Sequence, residues 1–470
     1  MTTEEKHAEP EMNEHQKQLV DSSFEEGQYT SGIRALDQLR SPNFRPAEHH
    51  IRQLLYIALY PPNANRVPQP PGSPTKMDKR RIKVQTLSIS PEASSSAQNL
   101  LFSFAQTNSL ESILDALPAF SRSRDVVDSD SDSALANEAL CIVRCKSCWD
   151  MLAKDFIRVG THLVDGPSKS YQNSDSEADG SESVVADHAW PILKWLLFLF
   201  ERDEAQTEAK GLRATYLSSH LENDLADSRS TARYSPFFLE QIPKPRGERN
   251  LRWEADAPLD IVFSCLCASE SQQLLGARLL TLLINISCTS YFDFQAFLTA
   301  VYKRVSAQSD MMDPFLTLLS RLPSIQPVLR FKVAFLHKCI GPPATATTSS
   351  RPKPQARALP KRRGGTSTPA PSEDATAQPV ANKAAMPSFA DISKALEGSS
   401  KNHSAKDAAK FELLVSYGTL QSQTSESERD PDWVKCGNGG GWESLLSAVF
   451  HNGGDADNYR TALTVLRTTW

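Results

Sequence analysis

Between residues 258 and 340 the chain repeats one pattern five times. Apolar side chains recur at three- and four-residue intervals over 258–268, 271–288, 292–307, 311–321 and 325–340, with only a few residues between successive patterns. A helix of 3.6 residues per turn gathers side chains at that spacing onto one face. Connections this short leave room only for a helix to turn back on its predecessor. In the second pattern Leu275, Leu279, Leu282, Leu283 and Ile286 line one face, while Leu274, Leu280 and Ile284 line another. A helix apolar nearly all round has to be covered on both sides. The expected fold class is therefore mostly α.

Alternate elements of this block start 33–40 residues apart. That spacing resembles the helical hairpins of HEAT and armadillo repeats, and the resemblance implies stacked helical hairpins forming an α-solenoid. Nearer the N-terminus, Phe24, Gly27, Tyr29, Gly32, Ile33, Leu36 and Leu39 stand in a pattern that resembles the centre of a tetratricopeptide repeat. The resemblance implies two antiparallel helices, with a glycine easing the turn and a small residue, here Gly32, allowing close approach. It occurs once and reaches no family narrower than the helical-repeat proteins. Ile51, Leu54, Leu55, Ala58 and Leu59 follow at helical spacing behind Pro46, and Pro61 and Pro62 stop that helix.

Composition divides the rest. Residues 1–14 are expected to be disordered and 15–60 to form the helical hairpin or hairpins. Six prolines between Pro61 and Pro74, with the tract Ser94–Ser96, mark 61–97 as a disordered linker. Residues 98–340 form the expected helical-repeat core, including a long helix over 134–159, with disordered acidic insertions near 121–133 and 165–187. Eight prolines between Gly341 and Ala385 mark 341–385 as a basic, proline-rich, disordered tether. Residues 386–470 carry helical patterns near 388–396, 406–420, 442–450 and 456–466, too thin for a core of their own and expected to dock on the repeats. The run Trp190–Phe200 is apolar, but eleven residues rise only about 17 Å as a helix, short of a bilayer, so it reads as a core helix and no membrane partner is expected.

Eight cysteines, unevenly spaced along 470 residues, do not form a secreted disulfide framework, and the N-terminus is polar. The expectation is a reducing, intracellular setting. Cys141, Cys145 and Cys148 have metal-like proximity but lack a fourth ligand, and on a continuous helix they share one face, so they read as core. The ten histidines, among them His49, His50 and His337, show no zinc-enzyme spacing. There is no phosphate-binding loop, dinucleotide fingerprint or nucleophile elbow. The sequence thus offers no catalytic, cofactor-binding or metal residue, and a non-enzyme is expected.

The remaining signals are regulatory. Residues 351–363 hold six cations and no acid, and Lys361, Arg362 and Arg363 resemble a nuclear localisation signal; a nucleic-acid contact or a merely soluble linker has the same composition. Ser73, within Gly-Ser-Pro-Thr-Lys, resembles a cyclin-dependent kinase substrate. A phosphate there would add about −1.5 to −2 charge beside the basic run 79–83. Ser129, Ser174 and Ser176, in the acidic serine runs, are further expected phosphorylation sites. The favoured function is a non-catalytic scaffold or adaptor for one or more proteins, nuclear and shuttling with the cytoplasm. Arg330 and Lys332, near the end of the repeats, are expected to be exposed as partner surface. The alternative is a nucleic-acid-associated factor: residues 258–340 carry seven Lys or Arg against five acids, while the whole chain has a net charge of −5. The oligomeric state has no signature in the sequence.

Overall fold

The computed structural model describes residues 10–42, 44–62, 87–118, 133–157, 184–209, 216–223, 253–254, 256–288, 293–341, 386–398, 404–450 and 454–470. These residues are mostly helical, in seventeen α-helices. Two two-residue strands, Glu222–Asn223 and Trp253–Glu254, pair antiparallel. The chain divides into two compact units, Met1–Asp293 and Phe294–Trp470. This division falls inside the block 98–340 read from the sequence as one core.

In the first unit α1 (Glu14–Glu25) starts at a reciprocal cap. Gln16 N–H donates to the Asn13 side chain at 2.9 Å, and Asn13 N–H donates to the Gln16 side chain at 3.2 Å. The chain reverses at Gly27, whose φ of 72° is a left-handed conformation that suits glycine, and enters α2 (Tyr29–Leu39). A Cβ at Gly32 would sit 2.5 Å from a ring carbon of Phe24, so only glycine lets α2 approach α1 this closely. Next come α3 (Glu48–Ala58), which begins two residues after Pro46, and α4 (Pro91–Thr107). α4 opens within the expected linker because Ser90 caps it and Pro91 occupies its first turn. Its serines are used: Ser94 donates to the Ala58 carbonyl at 3.1 Å while Ala93 and Ala97 are buried.

After α5 (Leu110–Leu114), α6 spans only Ala134–Arg144. The expected long helix over 134–159 is thus cut short. Cys145 is extended, and the Asp150 carboxylate accepts the N–H groups of Lys146 and Ser147 at 2.9 and 3.1 Å, a local arrangement that competes with helical pairing. Trp149 then anchors the segment through its indole N–H to the His220 carbonyl at 2.9 Å. The apolar run is α7 (Trp190–Ala209), with Trp195, Leu196, Leu197, Leu199 and Phe200 buried. No helix among the described residues is long and apolar enough to cross a membrane. Helices α8 (Asp256–Ser264) and α9 (Glu270–Ser287) complete the unit, with α9 packed on both α8 and α7.

The second unit holds α10 (Phe294–Ala307), α11 (Met312–Ser320) and α12 (Gln326–Ile340), which agree with the sequence patterns to within a few residues. Phe297, Phe315, Phe331 and Phe335 stack between them with ring centroids 5.0–5.9 Å apart. Then follow α13 (Phe389–Gly398), α14 (Ser404–Gln423), α15 (Pro431–Asn438), α16 (Gly441–Val449) and α17 (Gly454–Arg467). α14 lies along α12. α15, which none of the sequence patterns covers, starts where Asp430 caps it and Pro431 occupies its first turn.

The C-terminal helices add a substantial aromatic cluster of their own. Trp433 is ringed by Phe389, Tyr417, Trp442 and Trp470 at centroid distances of 5.2–5.6 Å. Asp430 sits at its edge, accepting from Phe389 N–H at 2.7 Å, the Tyr417 hydroxyl at 2.8 Å, and the N–H groups of Asp432 and Trp433. Desolvation pushes this carboxyl upward, but those four donors outweigh it and hold the group below the usual carboxylate range.

Candidate functional site

Ser73, Ser129, Ser174, Ser176, Lys361, Arg362 and Arg363 lie outside the described residues. Arg330 is half-buried on α12. Lys332 departs from expectation: it is not an exposed partner residue. Its side chain is 5% exposed, and Nζ donates to Glu412 Oε1 of α14 at 2.9 Å. The physical reason is that α12 does not end a stack. Val328, Leu329, Phe331, Val333, Phe335 and Leu336 bury much of its circumference, and α14 covers the flank that carries Lys332.

The three clustered cysteines do not share a helical face, since α6 stops before the second of them. Burial pushes the Cys141 thiol up to about 12, with the nearby Glu138 charge adding to it, and raises the fully buried Cys148 thiol as well. Cys265 and Cys339 are likewise pushed up to about 12 by burial. Thiols so shifted are protonated at neutral pH and, in the absence of a metal, are poor nucleophiles.

One constellation escapes a reading by spacing. Among the described residues, Asp21, His49 and His50 bring one donor atom each to within 4.8 Å of one another. Asp21 lies on α1, and the two histidines occupy the first turn of α3. Asp21 Oδ1 is 3.0 Å from His50 Nε2 and 3.5 Å from His49 Nε2. The two imidazoles lie with centroids 4.0 Å apart. The His50 side chain is 1% exposed, with the Phe24 ring edge-on at 6.4 Å, and its Nδ1 has no partner among the described residues; His49 is 46% exposed.

Burial lowers the His50 pKa despite the Asp21 hydrogen bond. Desolvation would raise Asp21, but the hydrogen bonds and charges of His49 and His50 outweigh it and hold the carboxyl far below its ordinary value. Near neutrality the pair is carboxylate and neutral imidazole. Asp21 is 29 residues from His50, so the adjacent histidines are the only mark of the site in the sequence.

A second polar seam joins α7 to α9. Arg278 closes on Glu201 with two hydrogen bonds of 2.7 and 2.6 Å, and Asn285 Nδ2 donates to Glu204 at 3.3 Å. Burial, aided by the charges of Glu208, Glu201 and Asp203 and opposed by Asn285, pushes the Glu204 carboxyl up to about 7. Neither a family model, nor a curated protein, nor a solved structure matches the chain.

Two outcomes follow from this geometry. Lys332→Ala strands the Glu412 carboxylate and should destabilise the protein by about 3–5 kcal/mol, seen as a lower denaturant midpoint, whereas joint replacement by Lys332→Met and Glu412→Leu should recover most of the loss. Glu204 has a folded pKa raised from 4.5 to about 7, so the native state holds the proton more tightly, and the group destabilises the fold increasingly as pH rises through that window. Glu204→Gln should therefore add about 1–2 kcal/mol near pH 8, after discounting for its partial exposure, and nothing near pH 4, as thermal melts at both pH values would read.

Proposed function

We propose that the chain is a non-catalytic helical scaffold, a stack of HEAT- or armadillo-like hairpins that presents an extended surface to one or more proteins. The observation that carries the reading is the order of packing. In the first unit α1 packs on α2, α2 and α3 on α4, α4 on α7, and α7 and α8 on α9. Most of these partners lie one to three helices apart in chain order, as stacked hairpins would, while α6 packs back on α3 and α1.

The rival, a nucleic-acid-associated factor, draws on the cations of 258–340. Arg278 is paired with Glu201 and Lys332 with Glu412, which leaves a smaller uncompensated positive field and favours the protein-binding reading. The basic run 351–363 belongs to this proposal as a nuclear address, and the serines at 73, 129, 174 and 176 as its phosphorylation sites.

Leu283, fully buried in α9, is the direct test of the stack. Leu283→Ala should cost about 2–5 kcal/mol and reduce recovery of co-purifying proteins in step with the fall in Tm. Arg330→Glu should reduce that recovery with Tm nearly unchanged. If neither variant alters the set of co-purified proteins, the scaffold reading fails; a steep loss of nucleic-acid affinity with salt would favour the rival. Replacing Lys361, Arg362 and Arg363 by alanine should move a tagged protein from nucleus to cytoplasm without changing its melting. An unchanged distribution removes the nuclear address.

A further inference from the structure

We propose that Asp21, His49 and His50 form a binding site for one divalent transition-metal ion, zinc by the chemistry of the donors, which staples α1 to the first turn of α3. Two imidazole nitrogens and one carboxylate oxygen suit a borderline ion such as zinc, which takes three protein ligands and keeps a fourth position for water. In a tetrahedral zinc site with bonds of about 2.0–2.1 Å the ligand atoms stand about 3.3 Å apart. The observed separations of 3.0 Å and 3.5 Å between Asp21 Oδ1 and the two Nε2 atoms straddle that value. The remaining pair lies within 4.8 Å, and a rotation of the half-exposed His49 ring would close it.

The placement of the three ligands sets the role of the ion. His50 is fixed in the core against Phe24, so it supplies a rigid anchor, while His49 faces solvent and gives the ion its entry path and its water. Asp21 comes from the other helix. An ion held by all three therefore fastens α1 to α3 across a separation of 29 residues. It binds the folded arrangement and not the unfolded chain, so it stabilises by mass action. Two features weaken its hold. Lys17 lies one turn before Asp21, and the positive end of the α3 dipole faces the same ligands. The staple is accordingly reversible, set by the level of free metal. The role goes beyond that of the scaffold: it gives the first hairpin a metal-dependent stability.

The test uses the full chain, stripped by a chelator and titrated with zinc ion alone. Calorimetry should read one ion per chain, and Tm should rise by roughly 5 °C at a hundredfold excess over Kd. X-ray absorption at the zinc edge should show only nitrogen and oxygen neighbours. His49→Ala and Asp21→Asn, each checked for unchanged helicity, should each weaken zinc binding by about tenfold or more. His49 is the safer of the two because its side chain is half-exposed. Absence of saturable binding, affinity unchanged in both variants, or sulfur in the coordination shell would each overturn the proposal, the last assigning the ion to cysteines instead.

Discussion

α7 is apolar on more than one side, and that single constraint organises the first unit. Ile192, Leu193, Trp195, Leu196, Leu197 and Leu199 have no exposed surface, so no orientation of this helix can hide them behind one neighbour. At about 25 cal/mol per Å² of apolar surface, leaving either face wet would outweigh the stability of an ordinary domain. α4 covers one side and α9 another. Several of its polar groups are matched to those two partners. The Trp195 indole N–H donates to the Leu101 carbonyl of α4 at 2.8 Å, and Glu201 and Glu204 meet Arg278 and Asn285 of α9. Directional bonds fix the register that apolar contact alone leaves loose.

The second unit meets the same constraint with different chemistry. α12 is also buried over most of its surface, and what covers it is α14, far along the chain. One charged pair lies in that seam, and breaking it is costly because each charge has lost its water. Beside it the aromatic cluster around Trp433 supplies broad contact faces, and Asp430 joins α13, α14 and α15 through four donors. The unit thus combines apolar area with a few fully occupied polar groups.

The sequence made the helices legible wherever the apolar period was strong. α8 to α12 stand close to their patterns, and the roles of Gly27 and Gly32 follow from the need for a turn and a close approach. Where local side-chain chemistry competed with the period, reading it alone failed. α6 ends early because Asp150 captures two backbone N–H groups, and α4 starts early because Ser90 and Pro91 form a helix beginning inside what looked like a linker. Period also says which residues share a face and nothing about what lies across from it. Lys332 looked terminal because the patterned block stops at 340, and its burial is decided by a helix 80 residues away. Asp21 and His50 meet for the same kind of reason, because α2 and its connections bring the first turn of α3 beside Asp21 of α1, and neither residue alone carries a signal.

The α12–α14 seam has a consequence for the stretch that joins its two sides. Gly341 and Met386, on either side of residues 342–385, belong to the same compact unit. A polypeptide opened anywhere within those residues still carries Lys332 on one fragment and Glu412 on the other, together with the two matching apolar flanks. A covalent connection between the two sides supplies effective concentration, which turns a meeting of two molecules into a fit within one. Cutting the chain between the two halves would put the α12 and α14 partners of the seam on two molecules instead of one.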